Sequence, residues 1–188
     1  MTAVLDGERI VLRPPKKMDE EEYLALNRRS ASLNRGLASP ATTPEEFAAL
    51  LDRCRGDANV CFFVCRKEDG AIVGSINLSQ IFRGGFQNAY LGYQIGADFA
   101  GQGYMTEALA LMLRHAFVDL KLHRLEANIQ PGNLASIALV KRAGFVKEGY
   151  SRRYLKICGR WRDHERWAIL AEDWALVQDY MIKQNYQD

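Results

Sequence analysis

Gly101-Gln102-Gly103 is followed at once by Tyr104-Met105-Thr106-Glu107 and an apolar-periodic run that reaches Val118. A glycine turn that opens a helix aims free backbone N–H groups, and the positive end of the helix dipole, at one point. Such a point takes an anion, most often a phosphate. Further on, Asn133-Leu134-Ala135-Ser136 opens a second helix that closes at Arg142-Ala143-Gly144-Phe145. Asn133 is a good cap for it. Ser136, at the third helical position, is either a capping partner or a hydroxyl able to pass a proton.

Three phosphate sites compete for the glycine loop. A nucleotide P-loop ends in Gly-Lys-Ser/Thr, whereas Gly103 is followed by Tyr104-Met105, which excludes it. A dinucleotide fingerprint needs glycine or alanine three residues after its second glycine, and opens the first strand–helix unit. Here the position is Thr106 and the unit is a late one. A coenzyme A pyrophosphate cradle needs a strand, a glycine turn, a helix with slim residues at its start, and a second helix to flank the pantetheine arm. The helix after Asn133 supplies the last of these.

The elements around these residues read as follows. Glu8 to Arg13 alternates and stops at Pro14-Pro15, a first strand. Asp19 opens a helix to Arg29, with Glu20, Glu21 and Glu22 in its first turn. Ser30 to Thr42 has no period and is either a loop or a helix over the substrate. Thr43-Pro44-Glu45-Glu46 combines a cap, a proline at the first helical position and a capping-box glutamate, so a helix runs to Arg55-Gly56. Val60 to Arg66 is a strand of buried type, turned at Glu68-Asp69-Gly70 into a partner from Ala71 to Ile81. Asn88 to Ala97 is the strand that delivers the chain to the loop. The helix from Gln102 to Val118 carries an apolar stripe of Met105, Ala108, Leu109, Met112 and Ala116, a core face. His123 to Gln130 is a strand, Leu134 to Arg142 a helix ended by Gly144, and Phe145 to Lys156 and Trp161 to Leu170 are strands. Glu172 begins a last helix, and Lys183 to Asp188 are an end that frays. The order is that of a mixed sheet with helices on it, class α/β (α+β).

The 188 residues suit one domain with a sizeable core. Net charge is +2, with 48 % hydrophobic and 26 % charged residues, so neither nucleic acid nor a membrane is called for. The basic residues gather at Arg152, Arg153, Lys156, Arg160, Arg162 and Arg166, a solvated strand face or a basic rim for a phosphate-bearing ligand. No apolar run approaches the roughly 20 residues that span a bilayer. Asp6, Glu8 and Arg9 interrupt any signal-type core, which makes the cytoplasm the expected location. Cys54, Cys61, Cys65 and Cys158 lack metal-type spacing and read as reduced, mostly buried thiols. His115, His123 and His164 lack it too, so no metal is expected.

The stretch from Phe82 to Asp163 resembles the GCN5-related N-acetyltransferases (GNAT). It carries RGGFQNAYLGYQIG, AGQGYMTEAL, Pro131-Gly132-Asn133, Lys141-Arg142-Ala143-Gly144-Phe145 and Gly159-Arg160-Trp161-Arg162-Asp163-His164. The RimJ/RimL-type branch, which acetylates the N-terminal alanine of ribosomal proteins, is the most similar. The resemblance implies a GNAT fold with a mixed, mostly antiparallel sheet of about seven strands, in a single N-acetyltransferase domain over residues 1–188. It implies direct transfer of acetyl from acetyl-CoA, as co-substrate, to an amine. The backbone of Gln94, Ile95 and Gly96 would pair with pantetheine like an added strand. N–H groups of Gly101, Gln102, Gly103, Tyr104, Met105 and Thr106 would hold the pyrophosphate. Asn133 would bond pantetheine, and Ser136 would stand near the thioester sulfur as general acid. The protein would be a monomer or a homodimer, and its partner a protein N-terminus, a ribosomal protein among the candidates.

The chain departs from the family pattern in four places. Ala100 stands where the phosphate motif often begins with Arg or Gln, and Met105 where it often ends in Gly or Ala. Val140 occupies the place of a tyrosine acid, which moves the acid role to Ser136. Tyr90 occupies the place of an acidic residue, which leaves no evident general base. Attack needs a neutral amine. At pH 7 an α-amine costs about 1.4 kcal/mol to deprotonate and a lysine side chain about 4.6 kcal/mol. A site without a carboxylate base therefore suits an N-terminal amine. The alternatives are a small-molecule amine, such as a polyamine or aminoglycoside, and an acyl-CoA-binding protein without turnover. Tyr90 and Tyr93 read as sheet packing, and Glu107 as a solvated first-turn acid. Trp161, Asp163 and His164 either line a peptide site or form a packing cluster. His164 could act as a general base.

Overall fold

The computed structural model describes residues 4–176. Strands β1 (Leu5–Asp6), β2 (Ile10–Arg13), β3 (Val60–Arg66), β4 (Ile72–Phe82), β5 (Asn88–Ile95), β6 (Arg124–Ile129), β7 (Val146–Ile157) and β8 (Arg160–Leu170) form one sheet. Its order is β1-β2-β3-β4-β5-β6-β8-β7, eight strands where the sequence suggested about seven. The extra one is β1, too short for alternation to register, paired through Leu5↔Leu12 and Asp6↔Val11.

Helix α1 (Glu20–Arg29) and the four-residue α2 (Ala31–Asn34) are followed by α3 (Pro44–Arg53), α4 (Tyr104–Arg114) and α5 (Leu134–Arg142). Helix α3 starts as its sequence demands. Thr43 Oγ1 accepts from Glu46 N at 3.3 Å, and Glu46 Oε2 accepts from Thr43 N at 3.2 Å. Asp19 does not cap α1. Its buried carboxylate takes both arms of the Arg13 guanidinium, at 2.7 and 2.8 Å, and raises the Arg13 pKa. Helix α4 stops at Arg114, and the predicted run to Val118 continues as a wider turn, His115–Asp119. Residues 171–176 are helical, as expected from Glu172, whereas the fraying end at 183–188 lies outside the described residues.

Both faces of the sheet are covered. In β3, Phe62 and Val64 enter the larger core with Leu109, Met112 and Ala116, whereas Phe63 and Cys65 face a smaller core with Tyr23, Leu26 and Phe47. The Tyr23 and Phe63 rings stack at 4.4 Å. Each aliphatic side chain fully buried this way contributes about 1.5–3 kcal/mol. Among the expected thiols only Cys65 is buried; Cys54 and Cys61 are half-buried and Cys158 is exposed, because the β7–β8 turn lies outside both cores. Met105 leaves the α4 stripe. It is partly buried at the core edge and faces a cavity.

Every neighbouring pair in the sheet is antiparallel except β5–β6. That pairing covers Asn88↔Arg124, Ala89↔Leu125 and Tyr90↔Glu126, and then ends. Beyond it β5 continues to Ile95 against β4, whereas β6 follows β8. The sheet therefore splits, and the edge of β5 from Leu91 onward has no strand beside it.

Candidate active site

The split opens into a cavity of about 840 Å³, within the range of small-molecule sites. Four walls enclose it: the open end of β5, the glycine loop with the start of α4, the start of α5, and the inner ends of β6, β7 and β8. Leu33 and Leu37, from the period-free segment after α1, close the far side.

The loop has the backbone of an anion cradle. Gly101 and Gly103 have φ of +76° and +84°, values that L side chains rarely adopt. Gly103 caps α4 with no side-chain cap bond. Among the described residues, the N–H groups of Gly101, Gln102, Gly103, Tyr104 and Met105 have no backbone partner outside the helix ladder. The Thr106 N–H differs from expectation: it already bonds Gly103 O at 3.1 Å, within the first turn. The Gln102 side chain also turns away, to Asp98 O at 2.8 Å.

A cation braces the loop from outside. Arg9 Nη1 donates to Gln102 O at 3.0 Å, and its guanidinium lies 4.9 Å from the centre of the Tyr104 ring. Arg9 is held in turn by Glu107. Glu107 Oε1 accepts from Arg9 N at 2.8 Å and Ile10 N at 3.4 Å, and Oε2 lies 3.3 Å from Arg9 Nε. Glu107 is thus not a solvated acid; its side chain is 18 % exposed and ties β2 to α4.

Gly96 also departs from its expected role. Its N–H donates to Val73 O at 2.8 Å, and its carbonyl accepts from Phe99 N at 3.0 Å. The N–H is therefore not free for pantetheine, and the carbonyl keeps one lone pair. The glycine is required there by packing: a Cβ would stand 2.4 Å from Leu26 Cδ1. Gln94 and Ile95 do line the cavity. The Gln94 side chain leaves it, giving Nε2 hydrogens to Tyr23 Oη at 2.7 Å and Asn27 Oδ1 at 3.0 Å.

Asn133 and Ser136 both line the cavity. Asn133 Oδ1 accepts from Ser136 N at 3.2 Å and so caps α5. The Ser136 hydroxyl is not used in the cap. It lies 2.5 Å from Tyr93 Oη, across the split. The ring of Tyr93 packs against the larger core, as its sequence position suggests, and its hydroxyl in addition joins β5 to α5. Burial raises the Tyr93 pKa, with the Ser136 bond acting the other way, so the phenol stays protonated at neutral pH. A neutral O–H pair at this place can give a proton to a leaving thiolate.

Tyr90, Asn128, Gln130, Tyr154 and His164 line the remaining wall. Trp161 is exposed and does not. Asp163 also stays out of the cavity. It accepts from Tyr150 Oη at 2.5 Å and Arg153 N at 2.7 Å, which lowers its pKa, the Tyr150 bond foremost. Among the described residues, Arg142 and His164 are the ionisable lining residues besides tyrosines, and none that lines the cavity is an aspartate or glutamate. Of the basic stretch, Arg152, Arg153, Lys156 and Arg160 are exposed and do not line the cavity. Among the described residues no group of three or more His, Cys, Asp or Glu side chains could hold a metal. None of the described helices is long and apolar enough to cross a membrane.

The family described as "Acetyltransferase (GNAT) domain" matches residues 9–146. Over 178 residues the chain is 36 % identical to the probable N-acetyltransferase YjcK of Bacillus subtilis (strain 168), covering 90 % of this chain and 98 % of that one. Over 108 residues it is 43 % identical to the ribosomal protein uS5-alanine N-acetyltransferase of Escherichia coli (strain K12). That stretch covers 57 % of this chain and 56 % of the relative. The fold is similar to Mycobacterium smegmatis RimJ in complex with CoA-disulfide, with TM-score 0.83 and 26 % identity over 91 % of this chain and 88 % of that one.

Proposed function

The chain belongs to the GNAT acetyltransferase family and is an acetyl-CoA-dependent N-acetyltransferase; from that premise we propose that its acceptor is the N-terminal α-amine of a protein. The observation that carries this reading is the wall of the cavity. Among the described residues it has tyrosine, asparagine, glutamine and histidine, but no carboxylate. A polyamine is a multiple cation and needs acids to replace its water. A peptide N-terminus brings one amine and a string of amides, which tyrosine and amide side chains serve. A ribosomal protein is the acceptor suggested by the uS5-alanine relative.

The parts then take these roles, within one domain spanning residues 1–188. The free N–H groups from Gly101 to Met105 hold the pyrophosphate, braced by Arg9. Pantetheine lies in the split, against the strand edge at Gln94 and Ile95, where the Ile95 backbone faces away from β4, and beside Asn133. Ser136 and Tyr93 act together as the acid that protonates the departing sulfur. Helix α5 brings Ser136 and β5 brings Tyr93.

Initial rates of thiol release from acetyl-CoA test the acceptor class. Three acceptors are compared: a peptide with a free N-terminal alanine, the same peptide N-blocked with an internal lysine, and spermidine. The free N-terminus is expected to be fastest by at least tenfold. A faster rate with either of the others overturns the reading.

A further inference from the structure

We propose that His164 takes the proton from the acceptor amine, and that Asn128 holds the same nitrogen, on the sheet face opposite the Tyr93–Ser136 pair. This rests on the acetyl-transfer reading above and gives His164 the base role that its sequence position left open.

The placement follows from strand register. Directly opposed residues in an antiparallel ladder share a face, and so do residues two apart. Asn128 opposes Arg166 in the β6–β8 ladder, so Asn128, Arg166 and His164 share one face. Their alternates Ala127 and Ile129 enter the larger core, with Tyr93 packed against it. The split therefore has Tyr93 and Ser136 on one side and Asn128 and His164 on the other. An amine arriving from the second side meets the acetyl carbon with the sulfur's proton donor beyond it.

His164 is oriented for the task. It is buried, yet it lines the cavity. Nδ1 lies 3.0 Å from Arg162 O. A carbonyl only accepts, so Nδ1 carries the ring proton and the lone pair is on Nε2. Among the described residues Nε2 has no hydrogen-bond partner. A bulge in β7 fixes the ring from above. Two extra residues stand between Ser151↔His164 and Leu155↔Arg162, and they set the Tyr154 ring edge-on to His164 at 5.9 Å. Asp163 pins that bulge through Arg153 N.

The surroundings keep the imidazole neutral. Its own strand presents Arg162, Asp163 and Arg166, with Asp163 engaged by Tyr150. β7 presents Tyr154, β5 presents Tyr90, and β6 presents Glu126, which is paired with Arg124 at 2.9 Å. Burial, the largest influence, lowers the His164 pKa, so the base form is present at pH 7. Asn128 lines the cavity, and its Oδ1 is buried with no partner of its own, an acceptor unsatisfied in the resting protein.

The step balances as follows. The ammonium gives one proton to His164 Nε2, which passes it to solvent. The freed nitrogen bonds the acetyl carbon as the carbon–sulfur bond breaks, and the sulfur leaves with the electron pair. Sulfur takes the Tyr93 proton, and the second proton lost by nitrogen restores the Tyr93–Ser136 pair. A histidine below its usual pKa of about 6.5 faces a gap of about 1.5 or more against an α-amine, and about 4 or more against lysine. The base thus matches the proposed acceptor.

The test is His164→Asn, whose side-chain N–H can still serve Arg162 O while Nε2 is lost. The kcat at pH 7 is expected to fall on the order of 10²–10³-fold, with an unchanged melting shift from acetyl-CoA. In the wild type log kcat rises with pH and levels off above the His164 pKa; in the variant it keeps rising toward the amine's own pKa. Asn128→Ala is expected to raise acceptor KM about tenfold with the wild-type pH profile. The series uses whichever of the three acceptors the wild type turns over, so a wrong acceptor class changes the amine and leaves the role of His164 standing or falling on its own. A His164→Asn enzyme within threefold of wild type from pH 6 to 9, or reduced by one factor with the wild-type profile, overturns the proposal. Absence of turnover with every amine overturns both readings.

Discussion

Tyr93→Phe removes one oxygen and leaves the half-buried ring in place. In the resting protein it breaks two contacts, both to Ser136: the hydroxyl Oγ at 2.5 Å and a long bond to the backbone carbonyl at 3.4 Å. Both hydroxyls face a cavity that admits water, so the stability cost is about 1 kcal/mol. For a chain of this size that lowers the melting midpoint by about 2–4 °C. Catalysis should suffer far more. If the phenol protonates the sulfur, its loss costs about 10²–10³-fold in kcat, or about 2.7–4.1 kcal/mol at 1.36 kcal/mol per decade. The KM for acetyl-CoA should stay within a few-fold, because the loop and the β5 backbone are untouched. Ser136→Ala leaves the α5 cap intact, since Asn133 bonds the Ser136 backbone N–H and not its hydroxyl. Groups that act as one unit are non-additive. The double variant should therefore be no slower than the worse single one. The assay is thiol release at saturating acetyl-CoA and acceptor, with melting curves for all four proteins. Losses that multiply in the double variant would refute the paired role, and a Tyr93→Phe enzyme within threefold of wild type would refute any acid role for Tyr93.

Glu107→Ala strips an acceptor from two backbone N–H groups and a partner from Arg9. A loss of about 1–3 kcal/mol is expected, discounted because Arg9 is half-exposed, so the midpoint should fall by roughly 3–8 °C; a shift below 1 °C would show that the β2–α4 tie is idle. Gly103→Ala places an L side chain at φ +84°, at a cost of about 1–2 kcal/mol, with a Cβ 3.0 Å from Arg9 Nη2. Titration calorimetry should show coenzyme A binding weakened by at least tenfold, and unchanged affinity would remove the loop from the phosphate site. Burial lowers the folded-state His164 pKa below the unfolded value of about 6.5, so the unfolded chain takes up the proton first. That contribution to stability is present above pH 6.5 and is lost as pH falls below it. Urea midpoints from pH 7.5 to 5 should fall less steeply in His164→Asn; parallel curves would mean that the imidazole is not held neutral.

The sequence determined what local geometry controls. The α3 start is written in Thr43, Pro44 and Glu46, because capping bonds span three residues. The limits of α5 are written in Asn133 and Gly144, the first a cap and the second at φ +92°. The loop at Gly101 and Gly103 was legible for the same reason: positive φ and helix-start N–H groups need no distant partner. The tertiary structure decided whatever depends on residues far apart in the chain. Glu107 looks like a first-turn acid until β2 arrives beside it, from 98 residues earlier. Tyr93 looks like sheet packing until α5, 43 residues later, sets Ser136 against it. Gly96 looks like a ligand-binding glycine, but the approach of Leu26 accounts for it. His164 is oriented locally by Arg162 O, but its place in a cavity under Tyr154 comes from the β7 bulge and the parting of β5 from β6. Periodicity reports which face of an element is apolar; it carries no record of which distant side chain will meet that face.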